Sequence, residues 1–238
     1  MCRIGDMLVK YQDTEIYFLH VVKPRLKRMS ISINSRNEVV VKTPVVDEAR
    51  VVELVLSKAE WILKKLSLPR EDVCGLEFKD GALIPYLGQR MVLKLIKDES
   101  FGVGKPKLSF DGSCFTIIYN PFLMKDEYFE KAFDSFYKQE ASNIMTKLTE
   151  EWADLMKLEY RKISFRKAKS RWGSCTSSGN IMFNYEAIKL PMEFVEYLVV
   201  HELSHLKHGN HSQAFWDFVE VYIPDYKAIR LKMKEYRL

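Results

Sequence analysis

The chain has 238 residues, 47% apolar and 29% charged, enough to bury a core; at about 100 to 200 residues per domain this points to one or two domains and excludes a disordered tail or mini-protein. Ten glycines and eight prolines are too few for collagenous or low-complexity sequence, and no run approaches the roughly 18 apolar residues of a membrane span. A net charge of +5, from 37 basic and 32 acidic residues, permits an anionic partner without requiring one.

Arg3 and Asp6 lie where a signal peptide would build an apolar stretch, so a cytoplasmic protein is expected. Cys2, Cys74, Cys114 and Cys175 are scattered without a Cys-x-x-Cys pair, which signals neither a disulfide framework nor a thiolate zinc site. Residues 29–33 and 39–42 alternate apolar and polar about a turn at Asn34, Ser35, Arg36 and Asn37, predicting a β-hairpin. Val51, Val52, Leu54, Val55, Ala59, Ile62, Leu63 and Leu66 then recur near a 3.6 period. They predict one helix of about five turns that starts behind an Asp47 cap and stops before Pro69. Between residues 76 and 119, short apolar runs bounded by Asp80-Gly81, Leu87-Gly88 and Asp111-Gly112 read as a small antiparallel β region.

After Pro121 a broad apolar face from Phe129 through Phe133, Phe136, Tyr137, Ile144, Met145, Leu148 and Trp152 to Leu155 predicts one long helix or two joined ones over 125–157. Strand-like sequence returns over 160–168 and 180–185, separated by a Ser/Thr/Gly turn at 174–179. Pro191 suits the first position of a helix whose N-terminal dipole Glu193 and Glu196 complement. No internal repeat is visible. The expected class is α+β, with a mainly antiparallel β region and a helix over 1–120 and a helical domain with a short β-sheet over 121–238.

The helix opened by Pro191 carries His201-Glu202-Leu203-Ser204-His205, the H-E-x-x-H pattern, behind the apolar Leu198-Val199-Val200. Positions i and i+4 differ by about 40° and about 6 Å along a helix, so both imidazoles can reach one zinc ion. Glu202 beside them suits a general base that takes a proton from a water whose pKa the metal lowers, which predicts hydrolysis. For the third ligand, His208 would lie about 10.5 Å from His201 on a continuous helix, too far to share the ion. Gly209-Asn210 can end the helix in a left-handed turn and return His211 to the site. The expected ligands are therefore His201, His205 and His211. The spacing is that of the metzincins, but His208 stands where they keep glycine and no Met-turn follows.

Beyond the helix, the sequence carries Arg171-Trp172-Gly173-Ser174-Cys175, Gly179 and Ile181, Asn184-Tyr185, Leu190-Pro191, Asn210-His211-Ser212 and Phe215-Trp216. Together with His201 to His205 these closely resemble the YgjP-like metallopeptidase family. Residues 25–31 and 86–89 look like that family's N-terminal part, so the resemblance covers nearly the whole chain. It implies a zincin-like α+β core over 121–238, zinc on the matched histidines, and kinship with the WLM and SprT-like peptidases. It also implies a nucleotide alternative, since some members are described as nucleoside triphosphate pyrophosphohydrolases acting on UTP.

Around the metal, the strand preceding the active helix, with Asn180 and Met182, is a candidate edge for pairing with an extended peptide. The basic run Arg161, Lys162, Arg166, Lys167, Lys169 and Arg171 could bring Lys169 and Arg171 onto phosphates. Trp172 reads as a packing anchor, Cys175 as non-catalytic, Phe215 and Trp216 as braces for the His211 loop, and Asp217 or Glu220 as partners for an imidazole N–H. Three functions follow. The leading one is a zinc metallopeptidase with a peptide substrate; the second is a metal-dependent nucleoside triphosphate pyrophosphohydrolase. The third is a nucleic-acid-binding protein with a structural zinc, which needs four protein ligands. A nucleic-acid partner is permitted and not required, and no membrane partner is expected.

Overall fold

A computed structural model describes residues 4–34, 37–67, 71–72, 75–102, 105–123 and 125–237. Ser35 and Arg36 of the expected turn, Pro69, Cys2 and Cys74 lie outside the described residues. The chain divides into two compact units, Met1–Pro69 and Arg70–Leu238. The boundary therefore falls near residue 70, where the sequence suggested 120, because the second β region shares a core with the long helix that follows it. Among the described residues no helix is long and apolar enough to cross a membrane.

The first unit contains β1 (Ile4–Tyr11), β2 (Thr14–Val22), β3 (Ser30–Ile33), β4 (Val39–Thr43), α1 (Glu48–Ser57) and α2 (Ala59–Ser67). The expected hairpin is present, with Ser30 opposite Lys42 and Ile33 opposite Val39. Inward residues Ile16, Phe18, Val39 and Val41 meet Val51, Val55, Ala59 and Ile62 in one apolar cluster. The expected single helix is two. Lys58 departs from helical geometry at φ −117° and ψ 10°, and Ser57 Oγ donates to the Leu54 carbonyl at 2.8 Å, a back-bond that bends helices. Asp47 occupies the N-cap without a side-chain capping bond.

The second unit begins with β5 (Glu71–Asp72), β6 (Leu83–Tyr86), β7 (Gln89–Lys97), β8 (Lys107–Phe110) and β9 (Cys114–Tyr119). This β region is mixed and not purely antiparallel, since β7 and β9 pair parallel. Its order, β6-β7-β9-β8, reproduces the order β1-β2-β4-β3 of the first unit, with the same directions at each step. A topological repeat therefore exists where the sequence shows none. In the second copy the following helix is α3 (Asp126–Met156), continuous for 31 residues. Phe129, Phe133, Tyr137, Ala141, Met145, Thr149 and Ala153 recur every fourth residue as its buried stripe. Phe133 and Tyr137 belong to the same apolar cluster as Ile84, Leu93, Phe115 and Ile117 of the sheet.

The remaining elements are β10 (Lys162–Arg166), β11 (Gly173–Cys175), β12 (Asn180–Asn184), a 3-10 turn (Tyr185–Lys189), α4 (Met192–Ser204), α5 (Gln213–Tyr222), α6 (Tyr226–Met233) and β13 (Tyr236–Arg237), which pairs with β5. Pro191 caps α4 one residue before its first turn. The Leu87-Gly88 hairpin docks on this cap: Leu87 N–H donates to the Ile188 carbonyl at 2.9 Å and Gly88 N–H to that of Lys189 at 3.1 Å. Gly88 has φ +76°, and a Cβ there would lie 2.7 Å from Pro191 Cα. Gly88→Ala combines left-handed strain with a backbone clash and is expected to destabilise the unit by about 2–4 kcal/mol. Urea unfolding checks this; an unchanged midpoint would contradict it.

Candidate metal centre

α4 is apolar on nearly every side, with Val195, Leu198, Val199, Val200 and Leu203 buried, so it is fixed along its length before it presents polar groups at its C-terminal end. The helix stops at Ser204 with His205 as its C-cap, earlier than expected, and Gly209 is not among the positive-φ glycines. The return of the chain instead uses turn bonds from Lys207 and His208 N–H to the Ser204 carbonyl at 3.1 and 2.9 Å. It brings His211 back: the ligand atoms of His201, His205 and His211 all lie within 4.8 Å of one another.

The donor set fits a divalent metal. His201 Nε2 and His211 Nε2 are 3.0 Å apart, near the separation of about 3.3 Å for two nitrogens bound tetrahedrally to zinc at 2.0–2.1 Å. His205 Nδ1 donates to the His208 carbonyl at 3.1 Å; a carbonyl can only accept, so Nδ1 carries the proton and Nε2 keeps its lone pair free. Tyr197 Oη stands 3.4 Å from His201 Nδ1, and a hydroxyl can accept from an Nδ1–H or donate to a bare Nδ1. Burial, then the neighbouring His205, His211 and Arg230, push the His201 pKa down to about 3. Burial, His205 and Arg230 lower that of His211 too. Both therefore remain neutral, as ligation requires.

Glu202, the next residue along α4, lines the same cleft as His201 and is 4% exposed. Its Oε2 is buried without a hydrogen-bond partner. Burial pushes its carboxyl pKa up to about 8 against the opposing charge of Arg171. Gly173 makes this position possible, because a Cβ there would lie 2.6 Å from Glu202 Oε1. Asn184 braces the approach to Gly173: its Nδ2 donates to the Ala168 carbonyl at 2.8 Å and the Arg171 carbonyl at 3.3 Å. Its backbone N–H donates to the Trp172 carbonyl at 2.7 Å.

The other expected residues divide. β12 is the central strand of the order β10-β12-β11, so Asn180 and Met182 have both backbone edges occupied by neighbouring strands; the outer strands are β10 and β11, and β11 runs into the stretch expected as a turn. Asn180 also donates through Nδ2 to Ser178 Oγ at 2.8 Å. Arg171 is exposed and its charge reaches Glu202, whereas Lys169 is exposed with no hydrogen bond or ion pair among the described residues. Lys167 turns inward to Asp134 at 2.8 Å and Glu186 at 3.3 Å. Asp217 and Glu220 do not serve the imidazoles: they accept from Gln213 Nε2 at 2.7 Å and Lys227 Nζ at 3.0 Å. The Cys175 thiol, pushed up to about 11 by burial and Glu202, holds too little thiolate near neutral pH to act as a nucleophile. Phe215 is fully buried and its ring centroid lies 4.6–5.0 Å from all three imidazoles.

A family model described as "YgjP-like, metallopeptidase domain" matches residues 27–236. The chain belongs to this family. It is therefore a metal-dependent hydrolase of the metallopeptidase type, and the expectation drawn from its motifs holds. No curated protein matches the sequence. Among solved structures, the chain is similar to the metallopeptidase zymogen of Pyrococcus abyssi abylysin, with 26% identity over 40% of this chain and 100% of that one, at a TM-score of 0.35. It is also similar to the zymogen of Methanocaldococcus jannaschii jannalysin, with 21% identity over 37% and 92% and the same TM-score of 0.35.

In this family member sequence reasoning missed three contributors. Gly173 was visible only as part of a motif, the His208 carbonyl left no side-chain signal, and Arg230 belongs to no motif. A cleft of about 380 Å³ beside the centre is lined by Trp172, Gly173, Tyr197, His201, Glu202 and Arg230, among others. A second, of about 590 Å³, opens beside His205 between Arg161 and the Thr176–Gly179 turn.

Proposed function

We propose that the chain is a zinc-dependent peptidase in which His201, His205 and His211 hold the ion and Glu202 is the general base. The observation that carries this reading is the convergence of three imidazoles within 4.8 Å beside a buried carboxylate oxygen that has no partner. Bound there, zinc supplies Lewis acidity to a scissile carbonyl and acidifies a water. The positive charge of an ion on the imidazoles would favour the ionised form of a carboxyl that burial raises to about 8; as a carboxylate, Glu202 takes the proton of the attacking water at Oε2 and returns it to the leaving amine nitrogen. The ring of Phe215 and the His208 carbonyl hold the imidazoles in orientation, which keeps that transfer short.

The substrate is a peptide in extended conformation, and β11 is the strand whose free edge suits it. Three nitrogen donors among the described residues, in place of four, match a catalytic site with an open position and argue against a structural zinc. Chelation is expected to abolish peptide turnover and added zinc to restore it; turnover indifferent to the chelator would overturn the reading.

A further inference from the structure

α6 ends beside the metal centre and brings Arg230 and Lys234 to the same cleft as His201 and Glu202. The Arg230 guanidinium carbon lies 4.5 Å from the centroid of the Trp216 ring. Trp216 in turn stacks on Tyr226 at 5.3 Å and 5° and on His211 at 5.3 Å and 27°. A long side chain held this way has already lost much of its rotamer freedom, so little more is lost when it binds. Neither Arg230 nor Lys234 makes an ion pair or hydrogen bond among the described residues; nearby, Glu220 accepts from Lys227 and Asp217 from Gln213. The charge of Arg230 reaches His201, His211 and Tyr197. With a divalent ion on the imidazoles, the cleft would hold that ion and two further cations against the Glu202 carboxylate. Such a surplus favours a substrate that brings its own negative charge.

We infer that Arg230, assisted by Lys234, binds a carboxylate of the substrate and makes the enzyme selective for peptides carrying one next to the scissile bond. The inference rests on the peptidase reading above. Arg230 is a specificity residue here: its planar fork of N–H donors matches a carboxylate in two-point contact. The carboxylate is either the chain-terminal one or that of an Asp or Glu side chain.

The test is binding, so that it does not depend on turnover. Zinc-loaded protein carrying Glu202→Gln is titrated with short peptides that end in a free acid or in an amide, and with internal Asp or Glu against Asn or Gln. The titrations are repeated with Arg230→Met, which keeps an apolar stem against Trp216, and with Arg230→Lys. Acid peptides are expected to bind about 10- to 100-fold more tightly than their neutral counterparts, the range of a charged hydrogen-bonded contact. That ratio should collapse towards one in Arg230→Met and be partly restored in Arg230→Lys. Whichever pair shows the ratio names the source of the carboxylate. A merely structural role for Arg230 would weaken acid and neutral peptides alike and leave the ratio intact, and that result overturns the inference. So does equal binding of both classes by the protein with Arg230 in place, or Arg230-dependent binding of UTP with no preference among peptides. Selective binding together with wild-type protein that cleaves no peptide would instead sink the peptidase reading and leave the carboxylate site standing.

Discussion

Glu202→Gln is expected to lower peptide turnover by roughly 10²- to 10⁴-fold, the range for loss of a general base, while metal content and fold persist. The amide is isosteric and neutral, so it fills the same space, 4% exposed, without the cost of burying a charge. What it lacks is a basic oxygen where Oε2 now stands without a partner. Turnover by chromatography of cleaved peptides, read beside zinc by elemental analysis, checks the two halves separately. Turnover within tenfold of wild type would remove Glu202 from the chemistry.

Gly173→Ala should mimic that loss by position alone. The new methyl would lie 2.6 Å from Glu202 Oε1, 2.8 Å from Cγ and 2.9 Å from Cδ, closer than real Cβ contacts allow. One side must give way. β11 is held by its pairing of Gly173 with Phe183 and Ser174 with Met182, and by the Asn184 to Trp172 hydrogen bond of 2.7 Å just before it. The Glu202 side chain has only its own rotamers, so the carboxylate moves. A displacement of about 1 Å at a catalytic group costs on the order of 100-fold, and the expected fall in turnover is of that size with a thermal midpoint near wild type. In the double variant with Glu202→Gln the two losses should not add, because both remove one function. Additive losses, or full activity in Gly173→Ala, would show that the glycine does not position the base.

The metal site was legible because its chemistry requires particular residue types at helical spacing. Even so, the sequence points to His211 through a longer helix and a left-handed Gly209 that the structure lacks; His211 returns through turns that the spacing alone does not specify. The place of the expected substrate strand within its sheet is not legible in the sequence, for a physical reason. Alternation over Asn180–Asn184 reveals a strand, but which edge is free depends on β11, three residues long and too short to carry a period. The β region over 76–119 read as antiparallel because local turns suggest hairpins, whereas the β7–β9 pairing is a long-range choice made by the core with α3. The repeated topology was invisible because strand order constrains which faces are apolar and not which apolar residues fill them. Arg230 escaped notice because a lone cation near the end of a chain resembles any solvated arginine until Trp216 and the cleft are seen around it.

In the proposed centre three histidines, and not the fourth in the same segment, hold the metal. Elemental analysis of wild type, His211→Ala and His208→Ala tests it most directly. His208 contributes its backbone carbonyl to His205 at 3.1 Å while its ring packs at 5.6 Å from that of Phe218, so substituting its side chain spares the site. About one zinc per chain is expected in wild type and in His208→Ala, and loss of most of it in His211→Ala. Stoichiometric zinc that survives in His211→Ala, or that disappears in His208→Ala alone, would contradict it.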